Sequence, residues 1–128
     1  MAATLIHLDT GFLIRAVVRS SREGDELRRW ISGGARIGVS AIAWSEFLCG
    51  PVDELSRELA VEMVGEPQPF LAADCGVAAD FFNVSGRRRG ILRDCMIGAT
   101  AVRVGAALAT TNPSDFRKIS GLVVNPKV

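Results

Sequence analysis

The sequence predicts an α/β fold, a three-layer α/β/α sandwich around a central, mostly parallel sheet of four or five strands. Two observations point there. Short apolar runs of strand length alternate with longer segments whose apolar residues recur at helical spacing. The alternation repeats along the chain, and strands joined by helices pair in parallel through right-handed crossovers, with helices covering both faces of the sheet. The length of 128 residues suits one core, so residues 1–128 are expected to form a single domain. With 48% hydrophobic and 23% charged residues and a mean hydropathy of +0.26, whole-chain disorder is excluded.

The elements follow in order. TLIHLD (Thr4 to Asp9) reads as a buried strand, and TGFLIRAVVRS after it carries helical spacing. Arg22 to Ser32 has acids early and arginines late, as the helix dipole favours, and meets a stop at Gly33-Gly34. ARIGVS (Ala35 to Ser40) is a second strand, and Ser40 is placed to cap the helix AIAWSEFLCG, which ends at Gly50-Pro51. Asp53 to Gly65 reads as a helix with a polar face. PFLA (Pro69 to Ala72) reads as a brief third strand before a helix over roughly Ala73 to Val84. A small and basic break, SGRRRG, precedes a helix from Leu92 to Gly105, in which Gly98, Ala99 and Ala101 would permit close approach to the sheet. ALATT is a fourth strand, NPSDF a turn and GLVVN a short fifth strand.

Several function classes fall away on composition. Arg15, Arg19 and Arg103 cut the longest apolar runs well short of the roughly 20 residues that a spanning helix needs, so no membrane partner is expected. The first residues lack the basic start of a secretory leader, which points to the cytoplasm. Three widely spaced cysteines (Cys49, Cys75 and Cys95) and a single histidine, His7, do not make a zinc site; the thiols read as fillers of small apolar gaps and His7 as a structural residue. Trp30, Trp44, Phe81 and Phe82 read as core rather than as stacking platforms for bases. The net charge of +1 argues neither for nor against a polyanion.

The acids carry more. In an open parallel sheet, ligands gather beyond the carboxyl ends of the strands. Asp9 closes the first strand, Glu46 lies within two turns of the start of the helix after the second, Asp94 opens the helix leading to the fourth, and Asp115 follows that strand. Any one of these alone is most often a cap or turn former. Four at one edge repel, by about 1 kcal/mol per pair at 4 Å in water and roughly four times that where screening is partial, and so call for a cation. Oxygen ligands without histidine or cysteine select Mg²⁺ or Mn²⁺, and such a centre suits phosphodiester hydrolysis.

These residues resemble those of the PIN-domain ribonucleases, in particular the VapC-type toxins of toxin-antitoxin pairs. The likeness rests on LDTGFLI around Asp9, SAIAWSEFLCG around Glu46, DCMIGATA from Asp94, and LATTNPSDF, where Thr110, Asn112, Asp115 and Phe116 fit a T-x-N-x-x-D-F signature. The resemblance implies a metal-dependent endoribonuclease whose acidic quartet Asp9, Glu46, Asp94 and Asp115 holds one or two Mg²⁺ or Mn²⁺ ions, with Asp9 and Asp94 the principal ligands. Thr10, Asn112 and Thr110 would orient the carboxylates or hold metal-held water. It also implies a homodimer, an RNA substrate and a VapB-type antitoxin, through which alone DNA would be bound. The sequence departs from the family at GRRRGILRD (Gly86 to Asp94), where a proline-containing polar segment is usual, which bears on the loop's shape and not on the acid.

Setting the four acids aside leaves ten acids against 15 bases, a charge of about +5 elsewhere. Arg87, Arg88, Arg89 and Arg93 lie beside the expected site and would grip RNA phosphates, or else form a solvated basic loop. Two other Mg²⁺-using classes fail: a phosphatase of the D-x-D type needs an acid at position 11, which is Gly, and a receiver domain needs paired acids after the first strand and a late lysine. A catalytically silent binding module of the same fold is the remaining alternative.

Overall fold

The computed structural model describes residues 4–127. Strand β1 (Leu5–Leu8) places Ile6, His7 and Leu8 in succession out of solvent. Because side chains alternate along a strand, burial of all three means that both faces of the sheet are covered. Asp9 ends the strand and starts helix α1 (Thr10–Ala16), its Oδ1 accepting a 2.8 Å hydrogen bond from the Thr10 N–H. The expected helix over TGFLIRAVVRS stops at Ala16. The residues after it turn so that Ser21 can accept from the Gly24 N–H at 3.0 Å and cap helix α2 (Arg22–Ser32). Phe12 of α1 stacks on Trp30 of α2 with ring centroids 5.6 Å apart.

Strand β2 (Arg36–Gly38) leads to helix α3 (Ala41–Cys49), and Ser40 caps it as the sequence predicts, its hydroxyl accepting from Ala43 N–H at 3.1 Å. Helices α4 (Glu54–Val64), α5 (Ala72–Val84) and α6 (Leu92–Val104) follow, then strand β3 (Ala107–Ala109) and a 3₁₀ turn over Pro113–Asp115. All pairings in the sheet are parallel and the order is β2-β1-β3, with Ile6 opposite Ile37 on one side and Ala107 on the other. Phe47, Ile97, Leu108 and Phe116 join Ile6 and Leu8 in the fully buried core. Burial of each such side chain is worth about 1.5–3 kcal/mol. Among the described residues no helix is long and apolar enough to cross a membrane.

The α/β sandwich stands, but among the described residues the regular sheet has three strands rather than four or five. PFLA is not a strand. Gln68 makes a single parallel bridge to Ser40, and the prolines at 67 and 69 lack the N–H groups that would extend it. Leu71 already serves as the N-cap position of α5. GLVVN likewise reduces to one bridge, Leu108 to Val124, because Asn125 leaves the extended region at φ 49° and Pro126 follows. Gly98 does not face the sheet: a Cβ there would meet Ile119 at 2.8 Å, so this glycine admits the C-terminal segment instead. Of the cysteines only Cys95 fills the core, whereas Cys49 and Cys75 are exposed.

Candidate active site

In a parallel sheet, the residues just after neighbouring strands share one edge. Asp9 follows β1 and Thr110 follows β3, and two bonds join them. The Asp9 N–H donates to the Ala109 carbonyl at 2.9 Å, and the Thr110 hydroxyl donates to Asp9 Oδ2 at 2.8 Å. Both residues are almost fully buried. The Asp9 carboxylate is thus fixed at both oxygens. Burial raises its pKa, and Glu46 and Asp115 push the same way, against the hydrogen bonds from Thr110 and Thr10.

The remaining acids come from three other elements. Glu46, in the second turn of α3, accepts a 2.8 Å hydrogen bond at Oε1 from the Thr10 hydroxyl. Asp94 lies in the first turn of α6 and Asp115 in the 3₁₀ turn. Burial, then the charges of Asp9, Asp115 and Glu46, push the Asp94 carboxyl up to about 6. A carboxyl in the first turn of a helix is normally favoured as the anion, so the rise registers burial first and then the charges of the other three acids, which together outweigh that preference. Gly11 keeps the start of α1 close to this edge: a Cβ there would stand 2.9 Å from the Thr111 hydroxyl.

The four acids therefore share one electrostatic neighbourhood, at the carboxyl edge of the sheet. A model of the PIN domain family matches residues 6–122. The chain belongs to the PIN domain family. This PIN domain has no sequence match among curated proteins. Its fold resembles several solved structures. One chain of VapBC2 from Rickettsia felis, solved bound to a DNA fragment from its promoter, superposes with a TM-score of 0.76 at 17% identity, covering 98% of this chain and 100% of that one. VapBC-1 from nontypeable Haemophilus influenzae gives 0.72 at 23% identity, with 95% and 97% covered. FitAcB from Neisseria gonorrhoeae gives 0.68 at 16% identity, with 93% and 95% covered.

The PIN domain's acids are near one another without forming a ready cage. Among the described residues no three acid, histidine or cysteine side chains already converge as a set of metal ligands. Two of the acids are instead engaged by arginine: Glu46 Oε2 lies 3.0 Å from Arg93 Nη1, and Asp115 Oδ1 lies 3.1 Å from Arg88 Nη2. All donors are carboxylate oxygens, and burial together with the charges of Asp9, Asp115 and Glu46 raises the Asp94 carboxyl to about 6. That donor chemistry fits a hard divalent cation.

The other sequence-predicted residues divide. Thr10 and Thr110 each hold a carboxylate directly. Asn112 contributes its main chain, donating N–H to the Thr110 hydroxyl at 3.0 Å, while its side chain is exposed. Arg87 reaches back to Asn83 at 3.0 Å and lies over the Phe82 ring, and Arg89 is exposed with no ion pair among the described residues. Sequence reasoning missed Asn125, whose side chain brackets Thr110, accepting from its N–H at 2.8 Å and donating to its carbonyl at 3.1 Å. Its signal was an Asn before Pro126 at the end of an apolar run, the mark of a turn former able to adopt positive φ.

Proposed function

We propose that this PIN domain is a metal-dependent endoribonuclease that hydrolyses single-stranded or looped RNA and acts as the toxin of a toxin-antitoxin pair. The observation that carries the reading is the Asp94 carboxyl, raised to about 6 by burial first and then by the charges of Asp9, Asp115 and Glu46 at the same sheet edge. Asp9 and Asp94 would be the principal ligands of Mg²⁺ or Mn²⁺, with Glu46 and Asp115 completing the set. When bound, the cation supplies Lewis-acid chemistry, activating the attacking water and offsetting charge on the phosphodiester oxygens.

The chain's own residues set the geometry. Thr110 and the start of α1 hold the two Asp9 oxygens, so this ligand needs no reordering. Thr10 does the same for Glu46 Oε1. Arg88 and Arg93 reach the acids of this edge, and together with Arg87 and Arg89, exposed in the same stretch, would offer positive charge to the RNA backbone. The likeness to chains of VapBC complexes supports a VapB-type antitoxin as partner. On the same reading, DNA would be reached only through that partner and the working form would be a homodimer.

The test is cleavage of single-stranded RNA by the purified protein. Activity is expected with Mg²⁺ or Mn²⁺ and is expected to vanish with EDTA, with Asp9→Asn and with Asp94→Asn. Cleavage that persists through chelation or either substitution would overturn the metal mechanism. The arginine pairs on Glu46 and Asp115 favour a second reading, a binding module that cuts nothing. Failure to cleave any RNA while Mn²⁺ and antitoxin still bind would select it.

A further inference from the structure

The two arginines nearest the acidic edge are aimed inward. Arg93 immediately precedes Asp94 at the start of α6, yet its guanidinium reaches Glu46 of α3 rather than its own helix. Arg88, in the loop between α5 and α6, crosses to Asp115 in the 3₁₀ turn. Both arginine side chains remain more than half exposed, at 64% and 58%, whereas their carboxylate partners keep 24% and 29%. Each guanidinium therefore covers a carboxylate from the solvent side and is itself reachable from solution. Glu46 keeps its other oxygen on Thr10 throughout.

We infer that Arg93 and Arg88 compete with the divalent cation for Glu46 and Asp115, so that the cation and an RNA phosphate backbone bind this chain cooperatively. The inference rests on the reading of these acids as metal ligands. A carboxylate oxygen bonded to a guanidinium has fewer lone pairs to offer a cation, and the guanidinium charge repels one. A phosphodiester that takes over the arginines frees the carboxylates. A cation on the carboxylates, in turn, frees the arginines for phosphate. By linkage the two effects are equal in free energy. The arrangement would keep metal affinity low until the polyanion arrives. Arg93 and Arg88 are on this account positioning residues, not catalytic ones.

The experiment measures Mn²⁺ affinity by calorimetry on the full chain, using wild type, Arg93→Gln, Arg88→Gln and the double variant, each checked for folding by thermal melt. Each single variant is expected to bind Mn²⁺ about fivefold tighter or more, the lower range of coupling between linked sites. A 2′-O-methyl RNA oligonucleotide of mixed sequence is expected to tighten Mn²⁺ binding to wild type and to leave the double variant unmoved. Affinity unchanged or weakened in the double variant would overturn the inference, since arginines that merely brace the carboxylates would give that result. Asp94→Asn, which should abolish Mn²⁺ binding in every background, separates the two failures. If Mn²⁺ binds neither wild type nor the double variant, the metal reading falls and takes this inference with it. If binding is present and needs Asp94 but ignores the arginines, the inference alone falls.

Discussion

The Thr110 hydroxyl donates a 2.8 Å hydrogen bond to Asp9 Oδ2, joining the ends of β1 and β3 across 101 residues of sequence. The same hydroxyl accepts from the Asn112 N–H, so its single proton is committed to the carboxylate. Asn125 holds the Thr110 main chain on both sides. A buried carboxylate is thereby aimed by a threonine that is itself fixed.

Thr110→Val keeps the shape and removes this bond. The expected result is a loss in RNA cleavage of about 10- to 100-fold, the usual effect of removing a group that orients a metal ligand. Thr110→Ser, which keeps the hydroxyl, should retain most of the activity. Equal rates for wild type and Thr110→Val in a single-turnover assay would show that Asp9 needs no such support.

Asp94→Asn should leave the protein without added metal as stable as wild type or more so at neutral pH. The carboxyl is raised to about 6 in the fold, so the folded state holds the proton over a range where the unfolded state has lost it. Stability from this group is therefore highest below the unfolded value, near pH 4, and declines as pH rises through 6. Wild-type and Asp94→Asn melts should coincide near pH 4 and diverge toward pH 7. A gain of about 1 kcal/mol, discounted because Asp94 keeps contact with water, would raise Tm by several degrees. Mg²⁺ should then raise the Tm of wild type and not of the variant. A large fall in the variant's Tm at pH 7 would mean that Asp94 is a structural cap.

His7 should act in the opposite sense. It is buried in β1, its Nδ1 has no hydrogen-bond partner among the described residues, and the ring packs against Gly38, where a Cβ would come within 3.1 Å. Burial first, and the charge of Arg103 second, lower its pKa from 6.5 to about 4. The unfolded chain takes up a proton below 6.5 that the folded one refuses, so stability contributed by the neutral ring is whole above 6.5 and lost as pH falls toward 4. As the chain has one histidine, its imidazole NMR signals are unambiguous. They should keep their neutral positions down to pH 5, and a midpoint near 6.5 would contradict the burial argument.

Asp74 should matter for folding and not for chemistry. Its buried carboxylate accepts from Arg103 Nε at 2.9 and 3.0 Å and from the Leu71 N–H at 2.9 Å, while Arg103 also reaches the Pro69 carbonyl at 2.8 Å. Asp74→Ala strands a partly buried guanidinium and an N–H group, at an expected cost of about 3–5 kcal/mol. Urea denaturation should register that loss, with cleavage per folded molecule unchanged. A cost under about 1 kcal/mol would place the pair with weak surface bridges.

Much of this protein is written locally. Ser21, Ser40 and Asp53 start helices through bonds spanning three residues, so the starts of α2, α3 and α4 follow from the sequence. The position of Asp9 after an apolar run, and of Asp94 at a helix start, likewise needs only strand and helix periodicity. Where the sequence misled, the deciding partner lay elsewhere in the chain. PFLA and GLVVN have strand-like composition, but a strand exists only where a neighbour supplies a ladder, and two prolines and a positive-φ Asn prevent one. The clamp of Asn125 on Thr110 and the grip of Arg93 on Glu46 and Arg88 on Asp115 are long-range bonds with no periodicity to announce them. Local periodicity and capping chose the elements and the sheet edge where the acids gather; only the folded chain decided which cation each acid meets, because that depends on through-space distance between loops.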